Sequence, residues 1–360
     1  MITLILFLTL FFTLLIILIF AKLSKLFAKK TTLLSEKVSV SVIIAAKNEE
    51  KNIIKLLSSI EKINYPKEKF EVIIADDNST DLTYQITKDF IKEKPNYSLI
   101  KPKDKKYNAK RGALQACIEN AKYDYFAVTD ADCEVSADWL NYLSSEFVSG
   151  YDFIFGPGPF YQRNGFINNI SCYENLRSTL LNLFFYSLRL PFSTSARNFG
   201  FQRKSFDEIG GFSHTLQTIS GDDDLLLREA HLHKQKISFF HGKDSHVFSE
   251  TSESLRDYIR QRSRHTQTSF HYLPKHQLAL LIWHVSNIII ISSPFLIIFS
   301  PVFLLPFFIK IVLDICLVKY FEVKLLYKFP VIKLPVLIVS YEFFIILNFF
   351  TSLNKKSGWK

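Results

Sequence analysis

The stretch ITLILFLTLFFTLLIILIFA, residues 2 to 21, carries no charged side chain. A helix of that length rises about 30 Å, the thickness of a bilayer's hydrocarbon core. A secretory leader is expected to show a basic start, a shorter apolar stretch and a small-residue cleavage site, none of which is present. The stretch therefore reads as a retained anchor. Lys22, Lys25, Lys29 and Lys30 follow at once. By the positive-inside rule they hold the next segment in the cytoplasm, at a cell (inner) membrane.

The chain turns apolar again from Leu278. Three further passes are expected at roughly 278–293, 295–315 and 334–352, with SSP at 292–294 as a tight turn and VKYFEVKLLYKF as a basic cytoplasmic loop. The first is short, and Pro301 and Pro306 interrupt the second. An odd number of C-terminal passes would leave Lys355, Lys356 and Lys360 outside, against the charge rule, so the last could instead be re-entrant. Four parts follow: anchor and basic linker (1–37), a domain of ordinary soluble composition (38–250), a basic aromatic connector (251–277) and an apolar C-terminal region (278–360).

The formal net charge of +10 does not imply nucleic acid as a partner. Much of the excess sits beside the apolar segments and in RDYIRQRSRHTQTSFHYLPKHQ, where cations mixed with aromatics suit an anionic membrane surface; a solvated helix face is the plainer alternative. Cys117, Cys133, Cys172 and Cys316 form no CxxC pair, so neither a zinc site nor a disulfide framework is indicated, and free thiols fit a reducing compartment.

Within 38–250, strand and helix signals alternate. VSVSVIIAA ends in KNEE and FEVIIA in DDNSTDLT, each followed by a segment of helical spacing, and YDYFAVT ends in DADC. This pattern predicts an α/β fold with a largely parallel central sheet and helices on both faces. The polar clusters all fall at strand carboxyl ends, where open α/β sheets bind ligands. Asp76 and Asp77, Asp130 and Asp132, and the run Asp222, Asp223, Asp224 in SGDDDLLLR have no basic residue interleaved among the acids. Such acids are either solvated turns or ligands of a divalent cation shared with an anionic ligand such as a phosphate.

The ordered set AAKNEE, ADDNSTDLT, NAKRGALQ, TDADC, ARNFGFQRKSFDEIGGF, SGDDDLLLR and QRSRH resembles the membrane-bound family 2 glycosyltransferases of GT-A fold, over residues 40 to about 268. That group includes ceramide glucosyltransferases and the cellulose, chitin, hyaluronan and poly-N-acetylglucosamine synthases. The resemblance implies a nucleotide-diphospho-sugar transferase domain flanked by transmembrane helices. Asp130 and Asp132 match the DxD pair that holds Mg²⁺ or Mn²⁺ against the nucleotide diphosphate. Asp77, or its neighbour Asp76, matches the acid that holds base or ribose. Ala45 and Glu49 lie on the first nucleoside loop, and Lys110 matches a basic position near nucleotide or sugar. Leu225 and Arg228 set a register in which Asp222 takes the general-base position and Gly221 replaces a Glu, while Asp224 reads as a helix-start residue. Gln261, Arg262 and Arg264 match Q-x-x-R-W with His265 in place of Trp, which removes a sugar-stacking platform and favours single transfer.

The resemblance thus implies an inverting enzyme that moves a sugar from a nucleotide donor, UDP-linked by preference, to a lipid-borne or glycan acceptor at the membrane. Two rivals remain: a sugar-nucleotide-forming transferase, and a membrane scaffold that binds nucleotide sugars without turnover. HLH at 231–233 with His241 and His246 reads as surface or core histidines, and GPGPF as a turn.

Overall fold

A computed structural model of the chain describes residues 2–353; Lys355, Lys356 and Lys360 lie outside them. Helix α1 (Ile2–Ala28) comes first, then β1 (Val40–Ala46), α2 (Ile53–Glu61), β2 (Phe70–Asp76), α3 (Thr83–Ile91), β3 (Tyr97–Ile100) and α4 (Ala109–Asn120). Next come β4 (Tyr125–Asp130), β5 (Cys133–Val135), α5 (Trp139–Val148), β6 (Phe153–Phe155), α6 (Phe166–Ser187), β7 (Phe199–Gln202), α7 (Arg203–Glu208), α8 (Asp224–Leu232), β8 (Ile237–Phe239) and β9 (Val247–Ser249). Helices α9 (Leu255–Ser269), α10 (Pro274–Ser292), α11 (Leu304–Phe321) and α12 (Leu334–Ser352) complete the chain.

The described residues form two compact units: an α/β unit of residues 30–161 and 192–250, and a helical unit of residues 2–29, 162–191 and 251–353. Helix α6 belongs to the second, although it arises in the middle of the 38–250 stretch.

In the α/β unit a seven-stranded sheet runs β3-β2-β1-β4-β7-β6-β8. Strands β3, β2, β1 and β4 are mutually parallel, as are β6 and β8; β7 runs antiparallel to β4 and β6. Every residue of β1 is buried, which explains its unbroken apolar run: a central parallel strand is covered on both faces. The register pairs Ala45 with Ala75 and Asp130, and Ala46 with Asp76, so these carboxyl ends finish at one edge. Strands β5 and β9 make a separate antiparallel pair, and two residues separate β5 from the end of β4.

In the helical unit, four segments are long and apolar enough to cross a membrane: Ile2–Ala28, Pro274–Leu296, Pro301–Leu325 and Val331–Ser352. The second C-terminal pass starts later than the sequence expectation for a local reason. A 3₁₀ turn, Pro301–Phe303, precedes α11 and leaves Pro306 in that helix's first turn, where a missing N–H costs nothing. A charged cluster is buried within this unit's largely apolar packing. Arg177 of α6 donates to Asp314 of α11 at 3.0 Å, and Lys310 pairs with the same carboxylate at 2.8 Å and with Asn287 of α10. Asp314 and Lys310 are buried, so each charge depends on the others for compensation. Connector helix α9 is capped by Ser254, whose Oγ accepts from the Asp257 N–H at 3.1 Å.

Candidate active site

At the carboxyl edge of β1, β2 and β4 the sheet presents its acids, and the segment leading into α4 supplies the cations. Lys105 pairs with Asp77. Asp77 itself is buried, and its N–H donates to the Ala46 carbonyl at 2.7 Å. Asp76 is also buried; one oxygen accepts from the Ser79 N–H at 3.3 Å, while Oδ1 has no partner among the described residues. An orphaned buried carboxylate oxygen at a sheet edge fits a hydrogen-bond donor from a ligand.

Lys110, in the first turn of α4, is the hub. Its Nζ lies 2.6 Å from Asp130 Oδ1 and 2.7 Å from Asp222 Oδ2. Burial would drive Lys110 toward its neutral form, but Asp130, Asp222 and Asp223 override it and push its pKa up. The same burial would raise Asp222, and the Lys110 ammonium, helped by Arg111, instead holds that carboxyl below the usual range. Asp222 is therefore ionised near neutrality. Gly221, at φ +91°, makes the left-handed turn just before it. Where α4 begins, a Cβ on Gly112 would stand 1.9 Å from the Tyr107 carbonyl oxygen, so only glycine lets the 105–110 segment fold back onto its helix.

The other two acids of that run do different work. Asp223 caps α8, accepting from the Asp224 N–H at 2.8 Å and from the Ala196 N–H at 2.7 Å. Burial, then the charges of Asp224 and Asp222, push its carboxyl well above the usual range. Asp224, first residue of α8, accepts from the Thr194 N–H at 2.9 Å and the Ser193 hydroxyl at 2.7 Å. Both tie the 193–196 segment to the helix start.

Asp130, Asp132 and Cys133 offer ligand atoms within 4.8 Å of one another. Burial, then the charges of Asp132 and Asp130, raise the Cys133 thiol well above its ordinary value, so it stays neutral. A hard divalent cation takes oxygen ligands, and the two carboxylates fit one while the thiol does not. Glu134, next along β5, is neutralised by Lys55 at 3.2 Å and hydrogen-bonded by Tyr161.

The remaining expected residues divide between the units. Ala45 is buried in register with Asp130. Glu49 is buried, and its carboxylate accepts from the Asn52 amide at 2.8 Å, holding the loop into α2. Gln261, Arg262 and Arg264 lie on α9 in the helical unit. There Gln261 accepts from the Ser252 hydroxyl at 3.1 Å, and Arg262 pairs with Glu174 of α6 at 3.1 Å. Glu174 also accepts from the Tyr258 hydroxyl at 2.6 Å. Lys105 and Arg111 were missed in the sequence. A cation-rich run ahead of a helix in KPKDKKYNAKR was the available signal.

Known proteins resemble this chain in sequence and in fold. Glycosyl transferase family 2 matches residues 41–210. A beta-monoglucosyldiacylglycerol synthase from Nostoc sp. is 38% identical over 101 residues, covering 28% of this chain and 22% of that protein. The synthase of the same name from Synechocystis sp. is 29% identical over 205 residues, 55% of this chain and 41% of its own. The chain thus spans less than half the length of these relatives. In fold it matches mannosyltransferase PcManGT from Pyrobaculum calidifontis, solved in complex with GDP-Man and Mn²⁺, with TM-score 0.64 at 16% identity over 99% of both chains. An acid-lined sheet edge of GT-A fold and the family match lead to one assignment: residues 41–210 form a glycosyl transferase family 2 domain.

Proposed function

We propose that the chain transfers a hexose, with inversion, from a nucleotide-diphosphate sugar to a lipid-borne or glycan acceptor at the cytoplasmic face of a membrane. The observation that carries this reading is Lys110, which joins a DxD acid, Asp130, to the ionised Asp222 in one contact shell. Donor and acceptor chemistry then share one site. Asp222 accepts the proton of the attacking hydroxyl as that oxygen displaces the diphosphate, and a single displacement inverts the anomeric carbon. Asp130 and Asp132 would hold Mg²⁺ or Mn²⁺, which supplies Lewis-acid compensation for charge on the departing diphosphate. Asp76 or Asp77 binds the nucleoside, with Ala45 and Glu49 on the adjoining loop. Gln261 and Arg264 serve the diphosphate, where a guanidinium fork suits phosphate oxygens.

UDP is the first donor nucleotide to test, and the GDP-Man bound by the mannosyltransferase makes GDP the second. The glucosyldiacylglycerol synthases favour diacylglycerol lipids as acceptors. Four helices long and apolar enough to cross a membrane suit a lipid-borne acceptor.

The deciding experiment compares Asp222→Asn with Asp223→Asn in transfer from UDP-glucose or GDP-mannose to a panel of diacylglycerol lipids. Asp222→Asn should keep donor affinity and lose roughly 10²- to 10⁴-fold in rate, the usual worth of a positioned base. Asp223→Asn should act through stability, since both its oxygens serve backbone N–H groups. If Asp223→Asn abolishes transfer in a folded protein while Asp222→Asn leaves it intact, the base is misassigned by one residue.

A further inference from the structure

We infer that Arg111 is a positioning residue that holds the backbone of the Asp222 loop in its working place. The inference rests on the reading of Asp222 as the base. Arg111 follows Lys110 in α4, and its side chain is buried. Its Nη1 donates to the Thr218 carbonyl at 2.6 Å and its Nη2 to the Ser220 carbonyl. Thr218 Oγ1 donates to the same Ser220 oxygen. One guanidinium fork thus grips two alternate carbonyls immediately before Gly221 and Asp222.

The arrangement matters because that segment has little of its own to hold it. Residues 216–223 belong to no regular element, and Gly221 turns through a left-handed conformation. Helix α4, by contrast, is seated against β1 and β2 through buried Ala113, Leu114 and Cys117. Lys110 and Arg111 therefore transmit the position of a rigid helix to a loop: Lys110 takes the Asp222 side chain, and Arg111 takes the main chain. Among the described residues its hydrogen bonds go to backbone carbonyls, so its hold on the loop is through the main chain. Its charge beside Asp222 adds to the ionisation of that carboxyl.

The substitutions Arg111→Gln and Arg111→Lys test this in the full-length protein. Lysine keeps the buried charge, and so the fold, but replaces the planar fork with a single ammonium. Amide hydrogen exchange is read on peptides spanning 216–224, with peptides from β1 and β4 as internal controls. Exchange in the loop should accelerate at least about 10-fold in both variants while the sheet stays protected. Affinity for Mn²⁺ with UDP or GDP, whichever binds the wild type, should stay within about 2-fold. Transfer should fall by about 10²-fold in Arg111→Gln, the scale of a 1 Å misplacement of a reacting group, and by less in Arg111→Lys. Loop exchange at wild-type rates in both variants overturns the inference. So does a loss of nucleotide affinity equal to the loss of rate, which would make Arg111 a donor ligand. The loop measurement needs no turnover, so it stands or falls separately from the assignment of Asp222.

Discussion

Lys110→Met removes the cation that, among the described residues, Asp130 and Asp222 share. Removing a partner from a buried ion pair costs about 3–5 kcal/mol, because the surviving charge stays out of water. Asp222 keeps 11% of its side chain exposed, whereas Asp130 keeps 31% and can recover hydration, so the low end, about 3 kcal/mol, applies. At roughly 2–4 °C per kcal/mol for a domain of 150–250 residues, the metal-free midpoint should fall by about 6–12 °C. Trp139, fully buried in α5 of the same unit, reports the transition by fluorescence in EDTA. Mn²⁺ with UDP or GDP should return most of the loss, since ligand at about 100 times its dissociation constant adds about 2.7 kcal/mol. The pH dependence has a definite sign. With Lys110 present Asp222 titrates below the ordinary carboxylate value, so the proposed base stays ionised at neutral pH and into the mildly acidic range. Without Lys110 burial dominates, the carboxyl rises, and the acid limb of the rate profile moves to higher pH. An unchanged midpoint in EDTA, together with an unmoved acid limb, would refute the hub role of Lys110.

Asp130→Asn and Asp132→Asn should each abolish metal-assisted nucleotide binding, measured by calorimetry with Mn²⁺; undiminished transfer in EDTA by the wild type would count against both as ligands. Asp314→Asn removes the carboxylate that Arg177 and Lys310 share and should destabilise the helical unit by about 3–5 kcal/mol, seen by Trp283 emission because Arg177 lies 5.6 Å from that ring's centroid. A wild-type unfolding midpoint would show the cluster contributes nothing. Protease added outside intact cells should leave residues 30–161 uncut, and cleavage there would reverse the proposed topology.

How much of this could be read from the sequence varies with the range of the interactions. β1 and β2 were visible because a fully buried parallel strand is written as one β-branched run, VSVIIAA and FEVIIAD, closed by polar residues. Strands β6 and β8, of three residues each, carry too little pattern to be seen. Helix α6 was hidden for another reason. Its buried face includes Asn168, Asn169, Glu174 and Arg177, which hydropathy scores as solvent-facing. Those residues are inside because Arg177 meets Asp314, 137 positions on, and Glu174 meets Arg262 and Tyr258. No local window contains such partners.

The acids of the site teach the same lesson with a sharper consequence. No cation is interleaved among the acids of these motifs, and read alone that lack argues for a metal through self-repulsion. Yet the 105–110 segment brings Lys105 to Asp77 and Lys110 to both Asp130 and Asp222. Glu134, the other acid beside the DxD pair, is met by Lys55. Most of the repulsion is thus cancelled by side chains remote in sequence. Repulsion alone therefore no longer requires a cation. What still favours one is geometric: Asp132 converges with Asp130 to within 4.8 Å, and neither Lys110 nor Lys105 reaches Asp132 in the ion pairs found. A cation bound there would compete with Lys110 for Asp130, and the lysine displaced from Asp130 would still hold Asp222. Metal affinity and the basicity of Asp222 would then be coupled through one side chain.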